Sequence, residues 1–220
     1  MSRYRAVLFD AYGTLIRLDR PAARLAAAVR RRFGRELAEG DAGAAVRAEI
    51  AHYAAHCQSA RDAASLGALR LECARILTGR TGVEAGDEDA LRLLHETIVL
   101  QPYPDAPDGL AAARSAGAAT AVVSNGDWSL AAALASAGLA ADAVVDSASA
   151  GIAKPDPAIF RHALELLGVT AADALHVGDS EQTDGVGARA AGIDVVIVDR
   201  GATPRPGTIA SLRELEGLLG

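Results

Sequence analysis

Cysteine is scarce. Cys57 and Cys73 are the two cysteines in 220 residues, too few for a disulfide framework, and a reducing cytoplasmic setting is the expectation. Long apolar runs are missing as well. No stretch approaches the ~20 residues that a membrane-spanning helix needs, so no membrane partner is expected. The first residues are polar and run straight into a strand pattern, which reads as no signal peptide. Basic surplus is also lacking. With 22 Lys and Arg against 28 Asp and Glu, the formal charge is −6 and the pI is near 5.4, which argues against a nucleic-acid partner. The densest basic run, Arg30-Arg31-Arg32, lies in an Ala-rich amphipathic stretch and reads as a solvated helix face. No internal repeat stands out, and no low-complexity tract beyond a general richness in alanine.

What is there suits a globular protein. The chain is 50% hydrophobic and 23% charged, enough for a full core in one or two domains, with oligomeric state left open. Five short apolar runs each end in a polar residue: Ala6–Phe9 before Asp10, Thr120–Val123 before Ser124, Ala143–Val145 before Asp146, Ala174–Val177 before Gly178-Asp179, and Val195–Val198 before Asp199. Helix-length Ala/Leu segments separate the last four. Strands that do not alternate in polarity, with helices between them, predict a parallel sheet covered on both faces, an α/β fold. Asp108–Ala116 reads as a helix ending at Gly117. A second helix starts at Pro157 and stops at Gly168. Between Asp10 and Ser124 the pattern changes. Ala22–Phe33, Ala42–His56, Ala64–Leu77 and Asp87–Leu100 all read as helices, with no strand among them. One crossover helix does not need that length, so an all-helical domain is expected to be inserted after the first strand. Gln101-Pro102-Tyr103-Pro104-Asp105 reads as the return linker.

The chemistry is expected at the strand ends, where open parallel sheets place it. The polar residues there are Asp10 and Thr14, Ser124 and Asn125, Lys154, and Gly178-Asp179-Ser180 with Asp184. A phosphoryl-transfer site built on an aspartate wants such parts. An aspartate can form a covalent intermediate that divides one hard step into two. A small hydroxyl can hold a phosphoryl oxygen, and a permanent cation can offset the carboxylate and substrate charge. Further acids can hold Mg²⁺, which takes oxygen ligands.

In these motifs the sequence resembles the haloacid dehalogenase-like hydrolases. Asp10-Ala11-Tyr12-Gly13-Thr14-Leu15 is similar to the first motif of that family, Val122-Val123-Ser124-Asn125-Gly126 to the second, Lys154-Pro155-Asp156-Pro157 to the third, and Gly178-Asp179-Ser180-Glu181-Gln182-Thr183-Asp184 to the fourth. The resemblance implies a Rossmann-like core, residues 1–16 and 104–220, with a helical cap domain over residues 17–103. It implies Asp10 as nucleophile and Thr14 as support for the turn after it. Ser124 would bind the transferred group, with Asn125, Tyr12 and Lys154 as further substrate contacts, and Lys154 would bridge Asp10 and the substrate anion. Mg²⁺ would be held by Asp10, Asp179 and the Tyr12 carbonyl, with Asp184 a ligand through water or a support for Lys154.

Tyr12 departs from the phosphatase pattern, which carries a second aspartate there as general acid. Tyrosine at this place resembles the dehalogenating branch, whereas Asp179 and Asp184 resemble the metal site of the phosphatases. Arg47, Arg61 and Arg70 are candidates for a halide cradle without a distinguishing context. The leading expectation is Mg²⁺-dependent hydrolysis of a small phosphorylated metabolite. The alternatives are a metal-independent 2-haloacid dehalogenase and a weakly active module that binds a phosphorylated ligand. Other readings stay beside these. Ser124-Asn125, Asp179 and Asp184 could cap helices. Gly185-x-Gly187-x-x-Ala190 matches a dinucleotide fingerprint but lacks its glycine directly after the strand, so close packing is expected. His52 and His56, four apart on a presumed helix, could bind zinc but have no obvious third ligand. Trp128 could shade a pocket rim or pack a helix. His176 reads as an ordinary core or surface histidine.

Overall fold

The computed structural model describes residues 3–201 and 205–220. The chain divides into two compact units, Met1–Arg17 with Pro102–Gly220, and Leu18–Gln101. The second of these units holds the helices expected between the first strand and the rest of the sheet.

The first unit is built on five parallel strands: β1 (Ala6–Phe9), β4 (Ala119–Ser124), β5 (Ala143–Asp146), β6 (Ala174–Gly178) and β7 (Asp194–Ile197). Their order is β5-β4-β1-β6-β7. Two further strands, β2 (Ile16–Leu18) and β3 (Leu100–Pro102), pair in a separate ribbon. Alternate strand residues face opposite layers. Val7, Phe9, Val122 and Val177 enter one buried cluster with Leu110 and Leu215, while Ala6, Leu8, Ala121 and Val123 enter another with Ile159, Phe160 and Ala188. This two-sided burial is why these strands read as unbroken apolar runs. The helices of this unit are α5 (Ala106–Ser115), α6 (Leu130–Ser136), α7 (Ser147–Ala150), α8 (Pro157–Leu167), α9 (Val186–Ala190) and α10 (Leu215–Leu219). The sharp limits of α8 follow from local chemistry: the Asp156 side chain accepts from the Ala158 amide, Pro157 opens the first turn, and Gly168 closes the helix at φ 64°.

The second unit is helical: α1 (Pro21–Phe33), α2 (Glu39–His56), α3 (Ala63–Gly79) and α4 (Asp87–Thr97). Helix α1 packs on α2 and α4, and α3 packs on both as well, closing a four-helix core around Leu25, Val29, Leu69, Leu77 and Leu93. Asp62 and Ser65 form a reciprocal capping box at the start of α3. The basic run of α1 is paired, Arg31 and Arg32 with Glu96 and Arg30 with Glu36. Helix α4 ends at Thr97, three residues before the expected Leu100, because Leu100 is taken into β3. The expected linker therefore begins inside a strand. No helix among the described residues is long and apolar enough to cross a membrane.

Candidate active site

Strand β1 lies between β4 and β6, with Phe9 paired to Val122 on one side and Val177 on the other. That register sets Asp10 level with the ends of both neighbours, at the point where connections leave the sheet in opposite directions. The Asp10 amide donates to the Val177 carbonyl at 2.8 Å, and the Leu15 and Ile16 amides both return to the Ala11 carbonyl at 2.9 Å, closing a tight turn. Gly13 takes φ +90° in that turn, and a Cβ on it would stand 2.2 Å from Asp179 Oδ2. Only glycine both adopts this backbone and leaves the Asp179 carboxylate its place.

Asp10 Oδ1 accepts from Ser124 Oγ at 2.9 Å and from Lys154 Nζ at 2.5 Å. Lys154 Nζ also donates to Asp184 Oδ1 at 2.6 Å. Both its carboxylate partners are buried, and so is Lys154, with 3% of its side chain exposed. Asn125 fixes the lysine backbone: its Nδ2 donates to the Lys154 carbonyl at 3.0 Å, and its Oδ1 accepts from the Lys154 amide at 2.8 Å. The Asn125 side chain thus serves Lys154 directly. Thr14 is wholly buried, and its Oγ1 has no hydrogen-bond partner among the described residues. The Tyr12 ring lies beside Gly126, whose Cβ would stand 3.5 Å from Tyr12 Cε2.

Asp179 is exposed and Asp184 buried, and together with Asp10 they bring carboxylate oxygens within 4.8 Å of one another. This donor set is all oxygen, which suits a hard divalent cation, and the space left by Gly13 keeps Asp179 available. Electrostatics agree. Burial pushes Asp10 above its ordinary carboxylate value, Lys154 opposes that, and the Asp184 charge adds to it. Burial and the Asp184 charge also raise Asp179. Asp184 goes the other way: burial raises it, but the His176 hydrogen bond and the Lys154 charge hold it below the usual range. Burial tends to lower Lys154, and the charges of Asp10 and Asp184 outweigh it and raise the ammonium.

A Cβ on Gly187 would come 2.6 Å from Phe160 Cε2 and 2.7 Å from the Pro155 carbonyl, so this glycine permits close packing. His52 and His56 stack at 4.2 Å between ring centroids. His52 Nε2 meets Glu72 at 2.9 Å, and His56 Nδ1 meets the His52 carbonyl at 2.8 Å. Among the described residues, the metal-capable cluster is the three aspartates. Arg47, Arg61 and Arg70 are exposed on the helical unit, and Trp128 is exposed on the core unit.

Three supporting residues escaped the sequence reading. His176 Nε2 meets Asp184 Oδ1 at 3.0 Å. Arg200 donates through Nη2 to the Thr14 carbonyl at 2.8 Å and through Nη1 to Asp105 at 3.0 Å, and its guanidinium lies 3.8 Å from the Tyr103 ring centroid. Asp105 also accepts from Ser211 Oγ at 2.7 Å and the Leu212 amide at 2.9 Å. The one sequence signal was a polar residue inside an apolar strand, His176.

Comparison with known proteins now bears on this arrangement. Over 105 residues the chain is 47% identical to the phosphoserine phosphatase of Thermus thermophilus, a match covering 46% of this chain and 42% of that protein. The chain thus spans well under half the length of that relative. Over 98% of both chains it superposes on the HAD phosphatase of Thermococcus onnurineus, at 25% identity and a TM-score of 0.64. The L-2-haloacid dehalogenase of Xanthobacter autotrophicus likewise matches over 98% of both chains, at 28% identity and a TM-score of 0.70. The family model described as haloacid dehalogenase-like hydrolase matches residues 4–192, a span holding every strand-end residue that meets around Asp10. By its fold and its sequence, the chain belongs to the haloacid dehalogenase-like hydrolase family.

Proposed function

We propose that this protein is a Mg²⁺-dependent phosphohydrolase that attacks a small phosphorylated metabolite through Asp10. Charge carries the reading. Three carboxylates gather within 4.8 Å of one another, and one ammonium, Lys154, bridges two of them. An anionic substrate brought to that excess of negative charge is repelled, by ~4 kcal/mol for each unit pair at 4 Å and an effective dielectric near 20. Mg²⁺ held by Asp10, Asp179, Asp184 and the Tyr12 carbonyl would remove that penalty and offset charge on the phosphoryl oxygens.

The protein groups supply the rest. Both hydrogen bonds to Asp10 fall on Oδ1, so Oδ2 is the attacking oxygen. It bonds to phosphorus as the bond from phosphorus to the leaving oxygen breaks, and the leaving alkoxide takes its proton from water. Water then attacks the phosphorus of the aspartyl phosphate, the aspartyl oxygen leaves, and phosphate and free Asp10 result. Lys154 orients Asp10 and offsets its charge. The Ser124 hydroxyl has one hydrogen, given to Asp10 in the free site, and turns it to a phosphoryl oxygen when substrate is bound, while Thr14 supports the turn. The low cysteine content fits a cytoplasmic enzyme.

Tyr12 supplies no carboxyl to protonate a leaving alkoxide, a contribution worth roughly 10²–10⁴ in rate. Tyr12→Asp is therefore expected to speed hydrolysis of alkyl phosphates by about tenfold or more, measured as initial rates of phosphate release. A variant that binds Mg²⁺ yet is slower on every ester would overturn the missing-acid argument. Tyr12 also favours one second reading, a 2-haloacid dehalogenase in which Asp10 attacks the halogen-bearing carbon. One assay separates the two: phosphate release from a panel of metabolite phosphates and halide release from 2-chloropropionate, each with Mg²⁺ and with EDTA. Phosphate release that EDTA stops supports the phosphohydrolase. Halide release indifferent to EDTA replaces it with the dehalogenase.

A further inference from the structure

His176 has no solvent exposure, and its neighbours in β6 are Ala174, Leu175, Val177 and Gly178. Its Nε2 lies 3.0 Å from Asp184 Oδ1. An ionised carboxylate only accepts, so Nε2 carries the proton. The other nitrogen, Nδ1, is buried with no partner among the described residues. The ring stands edge-on to Phe160, 4.9 Å between centroids. Leucine or phenylalanine would fill this place without a buried, unpaired acceptor, which costs about 1–3 kcal/mol. The imidazole is therefore explained by the one polar bond it makes.

That bond completes a cage. Asp184 Oδ1 accepts from Lys154 Nζ at 2.6 Å and from His176 Nε2 at 3.0 Å, and Oδ2 accepts from the Ser180 amide at 3.0 Å. The donors come from three separate segments: the strand, the turn after it, and the segment before α8. We propose that His176 is a positioning residue: by fixing the Asp184 carboxylate it holds Lys154 on Asp10. Without it, the carboxylate can turn about its Cβ–Cγ bond, Lys154 loses a fixed anchor, and Asp10 loses its orientation. The kinetic part of this inference rests on the proposed phosphohydrolase activity, whereas the structural part does not.

The test compares three variants. In His176→Gln the side-chain amide reaches the place of Nε2; in His176→Asn it is too short, and His176→Leu carries no donor. Gln is expected to keep near wild-type kcat. Asn and Leu are expected to lose about tenfold to a hundredfold in kcat, with KM little changed, although all three melt alike within a few degrees. If Leu does not fold, Asn decides. Wild-type kcat in the donor-free variants, or a loss in Gln equal to that in Asn, overturns the proposal. Crystal structures of His176→Asn and the wild type give a readout independent of turnover. Lys154 Nζ is expected to leave Asp10 or Asp184 in the variant; unchanged contacts of 2.5 and 2.6 Å would overturn the proposal whatever the wild type hydrolyses. No phosphate release by the wild type would instead sink the functional reading alone.

Discussion

Asp10→Asn is expected to stop turnover and leave the fold intact. Phosphate release should fall by at least about three orders of magnitude, the scale on which removal of a nucleophile is felt. The amide can still accept from Ser124 and Lys154, so the loss isolates nucleophilicity from packing. The melting temperature should hold or rise. Burial and the Asp184 charge both oppose an ionised Asp10, against the pull of Lys154, and a neutral amide relieves that opposition. The check is an initial-rate assay at high enzyme concentration beside a thermal melt in EDTA. Turnover near the wild-type rate would remove Asp10 from the role of nucleophile. An unfolded variant would mean that the ionised carboxylate holds the strand ends together.

Much of this arrangement was legible because its physics is local. Ala6–Phe9 is buried on both faces, so the run is apolar without alternation, and the strand has those same limits. Asp10, Ser124, Lys154 and Asp179 stand at strand ends or in the loops beyond them, where sequence order already implies proximity in a parallel sheet. What escaped depends on distant partners. Periodicity carries α4 to Leu100, but pairing of Leu100–Pro102 with Ile16–Leu18 takes the last residues into a strand, a contact between segments about eighty residues apart. The Asp105–Arg200 link joins the return segment to the stretch after β7, and neither residue has a sequence neighbour that marks the bond. The reciprocal bonds of Asn125 to the Lys154 backbone exist only once two loops meet. His176 was visible as an odd residue in an apolar strand, but its partner Asp184 lies eight residues on, across a turn whose course the sequence does not state.

Lys154→Met should cost both activity and stability, and the stability cost should depend on pH. The ammonium joins two buried carboxylates. Removing one partner from a buried ion pair typically costs about 3–5 kcal/mol, because the remaining charge is left uncompensated. The sign follows from each carboxylate. In the wild type, Asp184 is held below its unfolded value of 3.8 by His176 and Lys154 against burial; its contribution is present above that value and is lost as pH falls through the lowered folded one. Asp10 is raised by burial despite Lys154, so its contribution is greatest below the unfolded value and is lost as pH rises through the raised folded one. Methionine removes the group that opposes burial at both sites, and both carboxyls move upward in the variant. The deficit relative to wild type is therefore largest at neutral pH and shrinks as acid protonates them. Urea unfolding of both proteins in EDTA, at intervals from about pH 5 to pH 8, measures this directly. A deficit that stays constant with pH would show that packing of the lysine stem, and not its charge, holds the site. Phosphate release by the folded variant should be lost as well, since the substrate anion would meet the aspartates without the ammonium between them. A variant that keeps wild-type kcat would assign charge compensation at Asp10 wholly to the bound cation.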